Sequence, residues 1–197
     1  NGEDPSEPRV RSLLLRPAPE PILHSYRDRF RLWSIDDPSV IALASCLLGR
    51  PTAYRTTSCG THVDPDGYRQ VFPPPEIAVK WLDHQAPLPE GGDILEALVA
   101  AFSVLAAVVL YHPFPDGNGR VGRALFHGAL VRVLGLNCPL IPLGPFTYVR
   151  GRAVMEAWVA LGMEGDWVPL IRAYEAALAD VVELHQRLSP GFLLENA

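Results

Sequence analysis

Apolar side chains recur at helical spacing along most of the chain and alternate with polar and charged positions. The pattern predicts helices over residues 39–48, 76–83, 94–111, 120–134 and 152–161, and a last long helix that begins after residue 166. Gly49 and Pro51 end the first helix, and Asp93 and Asp166 are suitable N-terminal caps for the third and the last. The last helix is expected to have one apolar side, formed by Leu170, Ile171, Tyr174, Leu178, Val181 and Leu184.

The stretch from Thr56 to Phe72 differs, because strand-forming residues stand on both sides of a strong turn sequence, Asp-Pro-Asp-Gly at 64–67. The strand formers are Thr61, Val63, Tyr68, Val71 and Phe72. This pattern predicts a β-hairpin that ends at the prolines of residues 73–75. The predicted fold class is therefore all-α, a helical bundle with one β-hairpin.

The composition is that of a globular domain, since 48% of the 197 residues are hydrophobic and 20% are charged, enough for a sizeable core. Residues 1–21 are rich in Pro, Glu and Arg, which predicts a loosely held tail. The domain is therefore expected over residues 22–188, followed by a C-terminal tail over residues 189–197.

Charge and cysteine usage exclude several classes of partner. The net charge is −5 with no run of Lys and Arg, so a broad nucleic-acid-binding face is excluded. The longest apolar run, Ala97 to Tyr111, is shorter than the roughly 20 residues of a membrane span and favours a buried core helix. Three scattered cysteines favour a reducing compartment. A cytoplasmic protein is expected, in the cell that makes it or in a host cytosol.

The chemistry is concentrated in residues 112–123, His-Pro-Phe-Pro-Asp-Gly-Asn-Gly-Arg-Val-Gly-Arg. Pro113 disfavours helical geometry at the residue before it, so the preceding helix should end at His112. The helix dipole is expected to favour the protonated ring there, which suits a group that must accept a proton. His112 is therefore the candidate base.

The second half of this segment has the features of a phosphate-binding loop. Gly117 and Gly119, together with Asn118, can turn successive N–H groups toward one point and form an anion-binding nest. The helix that follows adds its positive end, and Arg120 and Arg123 can lie on one side of it, where their forked donors match phosphate oxygens.

A metal ligand stands beside this nest. The carboxylate of Asp116 is placed to hold Mg²⁺, which prefers one or two carboxylates plus substrate oxygens. The Gly-Lys-Ser/Thr ending of a Walker loop is absent. The residues together predict a site for phosphoryl or nucleotidyl transfer.

Residues 112–123 resemble the signature of the Fic family, His-x-Phe-x-Asp/Glu-Gly-Asn-Gly-Arg-x-x-Arg, at every fixed position. The resemblance covers residues 25–185 and implies a Fic-type helical bundle with one β-hairpin flap over the active-site loop. The flap, with Gly67, Tyr68 and Arg69, would hold a target segment by adding it as an extra strand.

The resemblance also implies a role for each matching residue. His112 would be the general base, Asp116 would hold Mg²⁺ on the α- and β-phosphates of ATP, and Arg123 would fix the γ-phosphate. Phe114 would be a buried anchor for the loop. The phosphates would be cradled by Gly117, Asn118, Gly119 and Arg120.

The implied activity is transfer of AMP from ATP to a Ser, Thr or Tyr hydroxyl of a target protein. The alternatives are transfer of UMP or another phosphate-containing group, and a non-catalytic nucleotide-binding regulator, against which the intact His112 argues. The part of the pocket that would hold the nucleobase departs from the commonest family pattern. Met155, Glu156 and Met163 stand where many members carry aromatic and polar groups. The sequence therefore leaves open which nucleobase the pocket prefers.

Several routes of control are left open by the sequence, and one of them lies within the 197 residues. Many members are inhibited by a helix bearing Ser/Thr-x-x-x-Glu-Gly/Asn, whose Glu pairs with the second Arg of the signature. The nearest match is Gly191 to Asn196, with Glu195 as the candidate inhibitory residue and Gly191 in place of the hydroxyl. The alternatives are a separate antitoxin-like inhibitor protein, an inhibitory segment outside the 197 residues, and no control of this kind.

Overall fold

The computed structural model describes residues 36–61, 67, 69–84, 91–134, 143 and 151–188. These residues fall into two compact units. One contains the described residues up to 134, and the other contains residue 143 and residues 151–188. The two predicted tails, residues 1–21 and 189–197, lie outside the described residues.

The described residues of the first unit form four α-helices. They are α1 (Asp37–Leu48), α2 (Pro75–Ala78), α3 (Ile94–Tyr111) and α4 (Asn118–Leu134), and a 3₁₀ segment (Val79–His84) continues α2. Helix α1 begins two residues before its predicted start, because the side chain of Asp36 accepts a hydrogen bond from the Ser39 N–H at 2.9 Å. It ends as predicted at Gly49, which has a left-handed φ of 66°.

Helix α3 is the central helix of this unit. Asp93 and Glu96 form a capping box at its start, so the predicted N-cap is confirmed. Its middle residues, among them Val104, Leu105 and Val108, are buried, as expected of a core helix. By length and composition alone α3 could cross a membrane, with 39% of it buried.

Helices α3 and α4 pack closely because α4 carries a glycine at the contact. A Cβ on Gly122 would lie only 3.0 Å from Leu105 Cδ1. The core that surrounds this contact also takes side chains from α1, the 3₁₀ segment and the loop between α3 and α4. It includes Val40, Leu43, Ala44, Trp81, Phe114, Val121 and Leu125.

Within the described residues the predicted hairpin is represented by one isolated antiparallel bridge, between Gly60 and Val71, and by no strand. The Thr61 N–H donates to Gln70 C=O at 2.9 Å, and the Phe72 N–H donates to Cys59 C=O at 3.2 Å. Residues 62–66 and 68 lie outside the described part of the chain. The all-α class is confirmed, whereas the hairpin flap stays a prediction.

The second unit contains α5 (Gly151–Glu164) and α6 (Val168–Leu188). The side chain of Asp166 accepts a hydrogen bond from the Val168 N–H at 2.9 Å, which confirms the predicted cap. Trp158 packs edge-on against Tyr174, with 6.4 Å between ring centres. Leu170 and Tyr174 are buried as expected, but Ile171 is 54% exposed, so its placement on the apolar side of α6 is wrong. The side chains of Leu178, Val181 and Leu184 are not described.

Candidate active site

His112 leaves helix α3 in a conformation that few side chains adopt. Its N–H still donates to Val108 C=O at 3.0 Å, but its φ is 50° and its ψ is 56°. Among the described residues it is the only one other than glycine with a positive φ. The left-handed conformation costs about 1 kcal/mol or more for an L-residue. The predicted end of the helix before Pro113 is therefore confirmed, and the strain falls on the candidate base.

The imidazole of His112 is half-buried, with one ring face packed and one nitrogen buried. It stacks on Phe72 with 3.8 Å between ring centres and 10° between planes. Its Nδ1 is buried and makes no well-formed hydrogen bond among the described residues, although the Val109 backbone lies close enough to affect the pKa of the ring. Burial lowers the pKa of His112 below its ordinary value of 6.5, the backbone of Val109 acts in the opposite direction, and the guanidinium of Arg55 lowers the pKa further.

The expectation that the helix dipole would favour protonation of His112 is therefore wrong. Burial of the ring is the largest cause of the shift, and the pKa moves down, which favours the neutral ring near pH 7. A neutral imidazole can accept a proton without first losing one.

The side chain of Asn118 closes the loop after His112 by bonding to backbone groups, as a second backbone segment would. Asn118 accepts a hydrogen bond from the Phe114 N–H at 2.9 Å and donates to Phe114 C=O at 2.8 Å. Phe114 is fully buried and lies 5.1 Å from the ring of Tyr54, which confirms its expected role as an anchor. The Asn118 side chain is committed to the loop, so only its backbone N–H is left for an anion.

Gly117 suits its position for two reasons, of which the backbone angle is the stronger. Its φ is 79°, and a Cβ there would lie 2.7 Å from Leu48 Cδ2 of α1. The α1 helix therefore sets the position of the loop directly before α4 begins.

Helix α4 begins at Asn118, two residues before its predicted start. Its first backbone bond runs from the Val121 N–H to Gly117 C=O at 2.9 Å. The N–H groups of residues 118–120 therefore have no partner within the helix. No acidic residue stands in the first turn itself, and the nearest carboxylate, that of Asp116, precedes the helix.

The two arginines of the signature lie at this positive end. The guanidinium of Arg123 lies over Gly119, since a Cβ there would be 3.3 Å from Arg123 Nη1. Arg120 is exposed, and its Nη2 lies 3.4 Å from Asp116 Oδ2. Three unpaired N–H groups and two cations thus stand together, which is a suitable site for a multiply charged anion.

Asp116 is the carboxylate of this site, and its side chain is 55% exposed. Its Oδ1 accepts a hydrogen bond from the Gly117 N–H at 2.6 Å, and its Oδ2 also lies 3.5 Å from Arg50 Nη2. Nowhere in the described part of the chain do three His, Cys, Asp or Glu side chains group to hold a metal by themselves. One hard carboxylate fits an ion such as Mg²⁺ that takes its other ligands from phosphates and water.

Two residues of the site had no recognisable signal in the sequence. Arg50 approaches Asp116 from the end of α1. Arg55 is 3% exposed and donates from its Nε to His112 C=O at 2.7 Å. Both stand more than 50 positions before their partners, outside any local motif, so only the folded chain brings them into the site.

The remaining predicted site residues are described only in part. Gly67 and Arg69 are exposed, Gly67 with a φ of 82°. Tyr68 and Glu195 lie outside the described residues.

On α5, Met155 is 42% exposed and Met163 is 81% exposed. Glu156 forms an ion pair with Arg152 at 2.9 Å. The three residues predicted to line the nucleobase belong to the second unit, and the residues around His112 belong to the first.

Comparison with known proteins identifies the segment that contains this loop. The model of the Fic/DOC family matches residues 35–130. A solved structure, a Fic family protein from Desulfovibrio desulfuricans G20, superposes with a TM-score of 0.61 and 18% identity, covering 85% of this chain. The chain spans about half of that protein, 51% of its length. No curated protein matches the sequence. Residues 35–130 therefore belong to the Fic/DOC family, as the signature between His112 and Arg123 predicted.

Proposed function

We propose that this protein is a nucleotidyltransferase that moves AMP from ATP to a Ser, Thr or Tyr hydroxyl of another protein. One observation carries the proposal: a histidine with a left-handed backbone and a lowered pKa stands at one end of a short loop, and the other end of the loop is a helix N-terminus with two arginines beside it. A base beside an anion site is what transfer from a nucleotide to a hydroxyl requires. The membership of residues 35–130 in the Fic/DOC family supports this chemistry.

The triphosphate of ATP would bind at the start of α4. The N–H groups of Asn118, Gly119 and Arg120 would donate to its oxygens, and the fork of Arg123 would take the terminal phosphate. Gly117 would contribute by allowing the backbone turn that aims these groups. Binding at both ends of the triphosphate would fix the α-phosphorus in orientation, and positioning of this kind supplies much of a transfer enzyme's rate.

Asp116 would hold Mg²⁺ together with phosphate oxygens, and the ion would neutralise part of the charge of the triphosphate. The ion pairs of Asp116 with Arg120 and Arg50 are exposed and therefore weak. Both arginines would be free to turn toward the phosphates once the carboxylate is engaged.

His112 would take the proton of the target hydroxyl as the new bond forms. The hydroxyl oxygen bonds to the α-phosphorus, the bond from that phosphorus to the bridging oxygen breaks, and pyrophosphate leaves with the electron pair. The product is a phosphodiester between AMP and the side chain, and His112 holds the released proton until solvent removes it.

The target protein would dock along the segment before α2. Val71 is 70% exposed and sits in the bridge with Gly60, beside the ring that stacks on His112. An extended target segment added next to residues 67–71, including Gly67, Tyr68 and Arg69, would bring its hydroxyl toward the base.

The first test is labelling of proteins in a lysate with Mg²⁺ and ATP, GTP, CTP or UTP, each labelled at the α-phosphate, with mass analysis of the modified peptides. His112→Ala should lower labelling at least 100-fold while the Kd for ATP stays within about threefold, because the base acts only in the chemical step. The control is Arg132→Ala, an exposed residue near the far end of α4, which should label normally.

The outcomes separate the alternatives. A mass increase from UTP alone would mean UMP transfer. A mass increase of one phosphate group, with no transfer of the α-phosphate label, would mean phosphate transfer. Nucleotide binding with no labelling by the wild-type protein would identify a non-catalytic regulator. Equal loss of binding and labelling in His112→Ala would mean that His112 is not the base.

A further inference from the structure

Arg55 makes an unusual set of contacts for a buried cation. Its guanidinium donates to four backbone carbonyls, those of Thr57 at 2.9 Å, Pro73, Tyr111 at 3.4 Å and His112 at 2.7 Å. Its own backbone N–H donates to Pro113 C=O at 2.9 Å. Three consecutive carbonyls at the end of α3 are thus held by this one residue.

The charge of Arg55 is balanced by dipoles rather than by a carboxylate. The side chain is 3% exposed, and none of the described residues forms a salt bridge with it. A buried cation without a partner is costly. The C-terminal carbonyls of a helix carry partial negative charge and have no partner within the helix. Arg55 therefore sits where the end of α3 can stabilise it.

These contacts hold the backbone of His112 and the segment that carries Phe72. The bonds to the carbonyls of His112 and Pro113 hold the backbone in its left-handed conformation. The bond to Pro73 C=O holds the residue next to Phe72, the ring on which His112 stacks. The same guanidinium thus joins the backbone of the base to the segment that covers its ring.

We infer that Arg55 is a positioning residue that holds the His112 imidazole against Phe72 and in line for proton transfer. This inference rests on the proposed function of His112 as the base. Arg55 reaches backbone oxygens only, so it acts through His112 and not on the substrate.

Two substitutions separate its geometry from its charge. Arg55→Lys keeps the charge but loses the forked donors, so it should lower kcat roughly 10- to 100-fold, leave the Kd for ATP within about threefold, and leave the acid limb of the pH profile in place. Arg55→Met also removes the charge, so it should lower kcat at least as far and move the acid limb to higher pH. The matched control, Arg132→Met, should change none of these.

NMR of the imidazole gives a readout that does not need the transfer reaction. Stacking on Phe72 shifts the His112 ring protons upfield, and both Arg55 variants should reduce that shift. If the wild-type protein transfers nothing from any nucleotide, the proposed function fails, and the ring-proton shift still decides whether Arg55 positions His112.

The inference is overturned if Arg55→Lys keeps the wild-type kcat, or if its ring-proton shift is unchanged. It is also overturned if the Kd for ATP weakens in proportion to kcat, because the residue would then support only the fold. Should Arg55→Met fail to fold, as judged by its thermal unfolding, Arg55→Lys alone decides the matter.

Discussion

At the scale of single residues, His112 combines three features that each disfavour folding. It has a left-handed backbone, a buried Nδ1 that makes no well-formed hydrogen bond among the described residues, and a half-buried ring. Strain of this kind persists only where the surrounding structure imposes it. Phe72 and Arg55 impose it here, and the result is a histidine that is neutral and fixed before any substrate arrives.

The pH dependence of activity should follow from that environment. The lowered pKa of His112 means that the acid limb of kcat/KM should have its midpoint below 6.5, with activity rising as pH rises through that midpoint. Phe72→Ala should move the midpoint up, because burial is the largest cause of the shift. Initial rates across pH of about 4.5 to 8 would measure both, and a wild-type midpoint at or above 6.5 would contradict the assignment.

The same shift has a consequence for stability. The folded-state pKa of His112 lies below that of the unfolded chain, so the unfolded chain binds the proton more readily as pH falls below 6.5. The contribution of the neutral ring to folding is present above 6.5 and is lost as pH falls through the lower, folded-state value.

At the scale of elements, the active-site loop depends on how α1, α3 and α4 meet. Leu48 at the end of α1 packs on Gly117, and Leu105 of α3 packs on Gly122 of α4. Each contact uses a glycine to let an apolar side chain approach the backbone. The loop is therefore supported from two sides by helix packing, and its shape depends on the elements that surround it.

Gly117→Ala should show this dependence as a loss of stability. The added Cβ brings strain from the positive φ and a clash with Leu48, together about 2–4 kcal/mol. Gly49→Ala is the matched control, since its φ is 66° and it has nothing within 4 Å; it should cost only about 1–2 kcal/mol. Urea unfolding would measure both. In a Leu48→Ala background the two glycine variants should become alike, and a difference that persists there would exclude the clash.

Elements set by local signals were predictable from the sequence. Gly49, Asp93 and Asp166 each end or begin a helix through neighbours within a few residues, and the signature of the loop is likewise local. Arg55 and Phe72 were not recognised because their importance comes from contacts that only the folded chain creates. The direction of the His112 pKa was also missed, since burial of the ring cannot be read from the residues beside it.

At the scale of the whole molecule, the open question is how the anion site is controlled. The chain spans about half of the similar Desulfovibrio protein. If Glu195 pairs with Arg123 it occupies the fork that the terminal phosphate needs. Glu195→Gly and Glu195→Gln should then both raise self-modification with ATP several-fold, because each removes the charge. Labelling assays on the purified protein would measure this, and unchanged activity in both variants would direct attention to an inhibitor protein.

The hydrogen bonds that shape the loop differ greatly in sequence range, and this has a consequence for folding kinetics. Asn118 closes on Phe114 across four residues, whereas Arg55 reaches His112 across 57. Short loops close within about 100 ns, and long-range contacts must first overcome a larger loss of chain entropy. A refolding chain should therefore regain its affinity for phosphate before its base is aligned, so binding competence and catalytic competence would mature in that order.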